Sequence, residues 1–316
     1  MNDKNPYILV LGASIVDIFG FCGRSYAQRD SIPGHIKISF GGVCRNIAEN
    51  LARVGVETKF ISTLGDDENG KSIFEHSKKL GYSMEHSLFL KNESTPTYMA
   101  ILNHQGEMES AVVDMESLNK MDESFIDEKD SIFRNAQYTI VDSDNPVLLE
   151  YILKKYEGVS NFILDPVSAK KARKIRHLIK YFHTVKPNRF ETEALCGFKI
   201  ESNEDLRKAG RFFIEQGVKN VFISLDADGI YYITSEGEEG TLACSDKIDV
   251  KNVTGAGDSF VAGIGYGYMN NLNIKDTLKY SVAMSIITIT HEETINPDMC
   301  HALVEDFVKN TNWNEN

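Results

Sequence analysis

Asn252-Val253-Thr254-Gly255-Ala256-Gly257-Asp258-Ser259-Phe260 is the most informative stretch of the chain. Two glycines flank a small residue, and a run of small and apolar residues follows. The pattern predicts a tight turn that opens a helix over 258–269. Backbone N–H groups at a helix start face outward and attract phosphate oxygens. A carboxylate among them would repel phosphate, unless it takes a proton from a hydroxyl that attacks the phosphate. An ordinary helix-capping Asp accounts for the same residues, and the stretch alone leaves both readings open.

Working outward, strands and helices alternate. Tyr138–Val141 precedes a helical pattern over 147–156. The strand 162–164 precedes a helix rich in Lys and Arg, and 221–225 runs past Asp226 and Gly229 into a strand over 230–233. Helices follow over 275–290 and 298–309. In the first half, 7–11 and 59–64 read as strands, 43–54 and 72–80 as helices. This rhythm predicts an α/β fold, a doubly wound and mainly parallel sheet covered on both faces. Two regions, about 15–40 and 96–113, depart from it. Ile36, Ile38 and Phe40 alternate with Lys37 and Ser39, and Thr97–Leu102 and 111–113 flank a polar turn. They predict a small separate sheet carried by a single domain spanning 1–316.

Two further segments carry chemistry. In Ser39-Phe40-Gly41-Gly42-Val43-Cys44-Arg45-Asn46, a double glycine opens a helix, so backbone can approach a small ligand. Asn46, one turn in, offers donors and acceptors suited to sugar hydroxyls. Asp17, after the first strand, could accept from two neighbouring hydroxyls. A plain loop–helix junction fits these residues too. In Lys186-Pro187-Asn188-Arg189-Phe190-Glu191, a strand ends and a helix begins. Asn188 and Glu191 lie three apart on one face. That pair suits a hydrated Mg²⁺ riding on nucleotide phosphates, or a capping box.

Composition narrows the field. The chain has 316 residues, with Lys plus Arg at 34, Asp plus Glu at 46, and a net charge of −12. Such a surface repels nucleic acid. The polar start, Met1 to Pro6, is no signal peptide, and no later stretch approaches a membrane span, so a cytoplasmic location is expected. The five cysteines lack C-x-x-C pairing and the eight histidines lack metal-ligand spacing. Neither a disulfide nor a zinc framework is expected.

Taken in this order, the three segments resemble the ribokinase-like (PfkB-type) carbohydrate kinases. The similarity runs through Gly41-Gly42-Val43-Cys44-Arg45-Asn46-Ile47-Ala48, Asn188–Glu191 and Asn252–Phe260. It implies a small β-sheet lid over the substrate, built from the two irregular regions. It implies Asp258 as catalytic base, with Gly255, Ala256 and Gly257 as the anion hole. Asp17, Gly41, Gly42 and Asn46 would bind sugar hydroxyls. ATP would be the phosphoryl donor with Mg²⁺, the metal near Asn188 and Glu191. The nucleotide would lie by Asn188, Ser224, Asp226, Gly229, Thr254, Gly255 and Gly257. Many relatives carry Asp where Asn252 stands, and the neutral residue puts a monovalent cation in doubt. Pro33–Lys37, the extension through Arg53, and Val113-Asp114-Met115 are similar to the pseudouridine kinase subgroup, which implies phosphorylation of a nucleoside 5′-hydroxyl. The sequence does not show which residues would read its base, and the candidates by location are Ser14, Thr97, Asn103 and Asp114. Ribose, adenosine or inosine are alternative acceptors, and a non-catalytic nucleoside sensor is a third reading. Family members often pair through their lids, which implies a homodimer.

Overall fold

The computed structural model describes residues 6–315. The polar residues before them, expected not to form a signal peptide, lie outside the described residues. A nine-stranded sheet runs in the order Trp313–Glu315, Glu239–Cys244, Ile230–Thr234, Asn220–Ser224, Phe182–Val185, Asn161–Leu164, Tyr138–Val141, Ile8–Leu11, Thr58–Ile61. The six strands from Asn220–Ser224 to Thr58–Ile61 are parallel. The other three join antiparallel at one edge. Glu239–Cys244 and Trp313–Glu315, short and partly exposed, are not among the strands expected from the sequence.

Both faces of this sheet are covered, so its central strands read as continuous apolar runs rather than alternating ones. Leu9, Leu11, Val141, Leu164 and Val221 pack on one side with Ile152, Leu195 and Phe213. Ile8, Val10, Ile140, Ile163 and Phe222 pack on the other with Ile47, Leu51, Phe260 and Ile264. Each such side chain, fully buried, stabilises the fold by about 1.5–3 kcal/mol. Among the described residues no helix is long and apolar enough to cross a membrane.

The irregular regions form a second sheet of four strands, Gly34–Gly41, Ile15–Cys22, Thr97–Leu102 and Met108–Asp114. The stretch 59–64, expected as one strand, is two. Thr58–Ile61 stays in the large sheet, while Thr63–Gly65 pairs with Leu88–Leu90. Ser62 marks the break: its N–H donates to Ser87 Oγ and its carbonyl accepts from Leu88 N. The helix expected over 72–80 starts earlier, at Glu68, because Asp67 caps it by accepting from Gly70 N.

Candidate active site

The carboxyl ends of the parallel strands gather the charged residues, where open α/β sheets form their crevices. Val141, Leu164 and Val185 are in register on three adjacent strands. The residue after each is charged: Asp142, Asp165 and Lys186. All three are buried. Lys186 Nζ lies 3.5 Å from Asp165 Oδ2. Burial opposes its charge, but Asp165, Glu191 and Asp258 together hold the Lys186 ammonium above its usual range.

The glycine-rich turn comes to meet this row. The helix Ala256–Met269 starts just before Asp258, with Gly255 as its N-cap at φ 84°. A side chain there would be strained in the left-handed region and would also strike the Thr294 carbonyl. A Cβ on Gly257 would come within 2.7 Å of Lys186 Nζ. The lysine therefore sits against the turn's own backbone. Asn252 Oδ1 accepts from Thr254 N at 3.0 Å, and Asn252 Nδ2 donates to the Glu292 carbonyl at 3.0 Å, tying the turn to the loop beside it.

Asp258 is buried, and Asn46 Nδ2 donates to its Oδ2 at 2.7 Å across 212 positions of chain. Burial pushes the Asp258 carboxyl up to about 7, helped by the negative Asp165. The Asn46 hydrogen bond, Lys186 and Arg45 act against the rise. Asn46 reaches this place because Gly42, at φ 100°, lets Val43–Arg53 start against the Ala13 carbonyl. Gly41 has no side chain, and the Asp17 carboxylate occupies the space a Cβ would need. Burial raises the Asp17 carboxyl, with Arg45 opposing.

Asn188 and Glu191 form a capping box. Glu191 N donates to Asn188 Oδ1 at 2.9 Å, and Asn188 N donates to Glu191 Oε2 at 2.8 Å. Glu191 is nevertheless buried beside Lys186, and burial with Asp165 lifts its carboxyl to about 7. Ser224 bridges to Asn188 and donates its N–H to the Pro187 carbonyl at 3.0 Å. Asp226, at φ 53°, and Gly229 turn the chain beyond it, closed by Leu225 N donating to the Gly229 carbonyl.

A cavity of about 420 Å³ opens beside this cluster, lined by Gly12, Val113, Asp142, Asp144, Asn145 and Lys171 among others. Asp142 Oδ2 accepts from Ala13 N at 3.3 Å, and burial with the nearby Asp144 lifts its carboxyl to about 7. Asp144 pairs with Lys171 at the cavity wall. The residues expected to read a base do not themselves line this cavity, although Ser14 and Asp114 each sit between residues that do. Ser14 is wholly buried, with its hydroxyl unpartnered among the described residues. Asn103 is spent on its own hairpin turn, bonding Gln105, Glu107 and Glu109. Thr97 bonds the Thr95 carbonyl, and Asp114 is exposed at a strand end. Asp142, Asp144 and Asp165 are not among the residues expected from the sequence. Their one local signal is an acidic residue at or just past the end of an apolar strand.

These carboxyls set a pH dependence for the unliganded protein. Asp142, Asp258 and Glu191 rise from 3.8, 3.8 and 4.5 to about 7 in the fold. Between pH about 4.5 and 7 the native chain keeps protons that the unfolded chain has released. Stability should therefore fall as pH rises through that window. His183, pushed down by burial, acts in the opposite sense, one group against these three and Asp17. A thermal-unfolding midpoint that climbs from pH 5 to 8 would contradict this.

The comparisons with known proteins bear on the chain as a whole. The model of the pfkB family carbohydrate kinases matches residues 5–299. Pseudouridine kinase of Escherichia coli K12 is 33% identical over 311 residues, covering 98% of both chains. The crystal structure of a candidate sugar kinase from Clostridium perfringens superposes with a TM-score of 0.95 at 58% identity, covering 99% of this chain and 98% of that one. Ribokinase of Arabidopsis thaliana, complexed with ribose and ATP, shares the fold with a TM-score of 0.84 at 22% identity, covering 97% and 99%. With the glycine-rich turn, the strand-end charges and this full-length match all in place, the chain belongs to the pfkB family of carbohydrate kinases, phosphotransferases that act on an alcohol group.

Proposed function

We propose that the protein transfers the γ-phosphoryl group of ATP to the 5′-hydroxyl of pseudouridine, giving pseudouridine 5′-phosphate and ADP. The observation that carries the chemistry is Asp258, buried at the start of the glycine-opened helix with its carboxyl lifted to about 7. There it takes the proton of the attacking hydroxyl as the new O–P bond forms. The N–H groups of Gly255, Ala256 and Gly257 and the Lys186 ammonium take up the charge on the moving phosphoryl group. Asp17, Asn46 and the Gly41-Gly42 backbone bind the ribose hydroxyls, beneath the four-stranded sheet acting as a lid. Ser224, Asp226, Gly229 and Thr254 border the nucleotide.

The likeness to the Escherichia coli pseudouridine kinase supports the choice of acceptor. So does the cavity. A C-linked uracil has one more ring N–H than uridine's base, and the Asp142 and Asp144 carboxyls line the cavity. The test is ADP release with pseudouridine, uridine, ribose, adenosine and inosine. Pseudouridine should be favoured over uridine on the order of 10⁴-fold in kcat/KM, the scale for a site built around a donor that its competitor lacks. Equal rates on the two would remove the assignment, and a preference for ribose or inosine would replace it.

No group of three or more His, Cys, Asp and Glu among the described residues could hold a metal. Glu191 does fit a hydrated Mg²⁺ carried on the nucleotide, because its Oε1 lies outside the capping box and can accept from a metal-bound water, while the atom Asn188 leaves outside, Nδ2, is a donor suited to a phosphate oxygen beside the metal. Bound there, the metal neutralises phosphate charge. Glu191→Gln keeps an acceptor for Asn188 N but loses the charge. The Mg²⁺ concentration for half-maximal rate should rise several-fold, and an unchanged Mg²⁺ dependence would count against the pair.

The lid also has an apolar outer face. Ile38, Ile18, Met99 and Val112 stand in one row across the four strands, with Ile36 and Ile101 beside them. All but Ile18 are exposed. A second copy of the chain covering this face explains it. Light scattering should then give twice 35.5 kDa, and a monomer mass would remove this part.

A further inference from the structure

Arg45 is buried one position before Asn46, on the same helix, and has a dense set of partners. Its Nη1 donates to the Phe40 carbonyl at 2.6 Å and to Asn46 Oδ1 at 3.0 Å. Its Nη2 pairs with Glu49, which also accepts from Arg53 at 2.8 Å and lies 3.2 Å from His76 Nε2. Phe40 closes the arrangement, its ring edge-on to His76 at 5.5 Å.

The Asn46 amide has two possible orientations. A guanidinium has only donors, so it accepts only one of them, with Oδ1 toward Arg45. The other end, Nδ2, is then forced toward Asp258, where it donates at 2.7 Å. A donor there favours the carboxylate, the form that accepts a proton. The flipped amide would present Oδ1, which repels the carboxylate and accepts from the protonated acid.

We propose that Arg45 is a positioning residue for catalysis: held by Glu49 and by the Phe40 carbonyl, it locks the Asn46 amide so that Nδ2 faces Asp258. This rests on Asp258 as the base. The Phe40 carbonyl belongs to the end of lid strand Gly34–Gly41, so the lock also ties the lid's edge to the base. The charged groups facing Asp258 are Asp165 and Lys186 from the strand ends and Arg45 itself. The direct field of Arg45 must therefore be separated from its action through the amide.

A double-substitution cycle does so. The readout is the protonation midpoint of Asp258 in the unliganded full chain, taken from the carboxylic-acid infrared band that Asp258→Asn abolishes. Arg45→Met should raise that midpoint by about one pH unit or more in the wild-type background. In an Asn46→Ala background, where no amide remains to orient, the same substitution should raise it by less than half as much. The acid limb of the pH–rate profile with ATP, Mg²⁺ and pseudouridine or ribose should shift in parallel. Equal shifts in the two backgrounds would reduce Arg45 to a plain charge and overturn the proposal, as would no shift at all. Should Arg45→Met not fold, Arg45→Lys enters the same cycle, since one ammonium cannot reproduce the fork to both Phe40 and Asn46. Absence of turnover by the wild-type protein would sink the kinase reading, while the infrared midpoint would still judge Arg45.

Discussion

Asp258→Asn is expected to cut kcat by about 10²–10⁴ while leaving the affinities for ATP and acceptor nearly intact. The substitution keeps the shape, and the new side chain can still present an oxygen to Asn46 Nδ2. What it removes is the proposed proton acceptor. In the wild-type protein, burial lifts the Asp258 carboxyl to about 7. The base is therefore ionised only toward the alkaline side, and kcat/KM should rise with pH through about 7 and then level. The residual rate of the variant should lack that rise. Neither ligand needs the carboxylate for affinity, and loss of a negative charge beside the phosphates should if anything tighten ATP. The measurement is kcat and both dissociation constants on the folded variant. Retention of most of the activity would exclude Asp258 as the base.

Lys186→Met should have the largest effect on stability. Lys186 and Asp165 are each only 5% exposed, with 3.5 Å between their charged atoms. Removing the cation leaves a buried carboxylate near Asp258 and Glu191 with no counter-charge, a change that costs about 3–5 kcal/mol. Lys186→Met/Asp165→Asn should recover most of that loss. The Asn keeps the acceptor that Asp165 Oδ1 offers to Val167 N at 2.9 Å, without the charge. The double variant should still turn over slowly, because the ammonium against Gly257 is gone. Urea unfolding and kcat together separate the two effects. A single variant as stable as wild type would show that the pair does not hold the strand ends.

How much of this could be read from the chain alone depends on how local each signal is. The glycine turn at Gly255–Gly257, the double glycine before Val43 and the apolar runs of the parallel strands are local patterns, and the fold class follows from them. Ser202 caps Asn203–Glu215, and Leu206, Ala209 and Phe213 mark its buried face, so that helix carries the usual signals even though it is not among the helices expected from the sequence. The edge strands Glu239–Cys244 and Trp313–Glu315 are different, since exposed short strands have no apolar alternation to betray them. The site divides in the same way. Asp258 and Asn46 lie inside recognisable motifs. Asp142, Asp165 and Lys186 become neighbours only through the strand order, which no local window contains. The spacing of Asn188 and Glu191 suits a metal pair but by itself favours a capping box, and the fold forms that box while leaving each residue one polar atom outside it.

The distance along the chain between Asn46 and Asp258 has a consequence for synthesis. The lid sheet draws all its strands from residues 15–114. It can pair while the large sheet still lacks most of its members. Asp258 emerges 212 positions after the residue it bonds. At about 5–20 residues per second on the ribosome, that is a delay of about 10–40 s. From the emergence of Val112 to that of Asp258, the row of Ile38, Met99 and Val112 faces water on a chain that has no finished core and no completed partner. The nascent protein is thus most open to wrong association well before it can bind its substrates, and added ligand cannot shorten that interval.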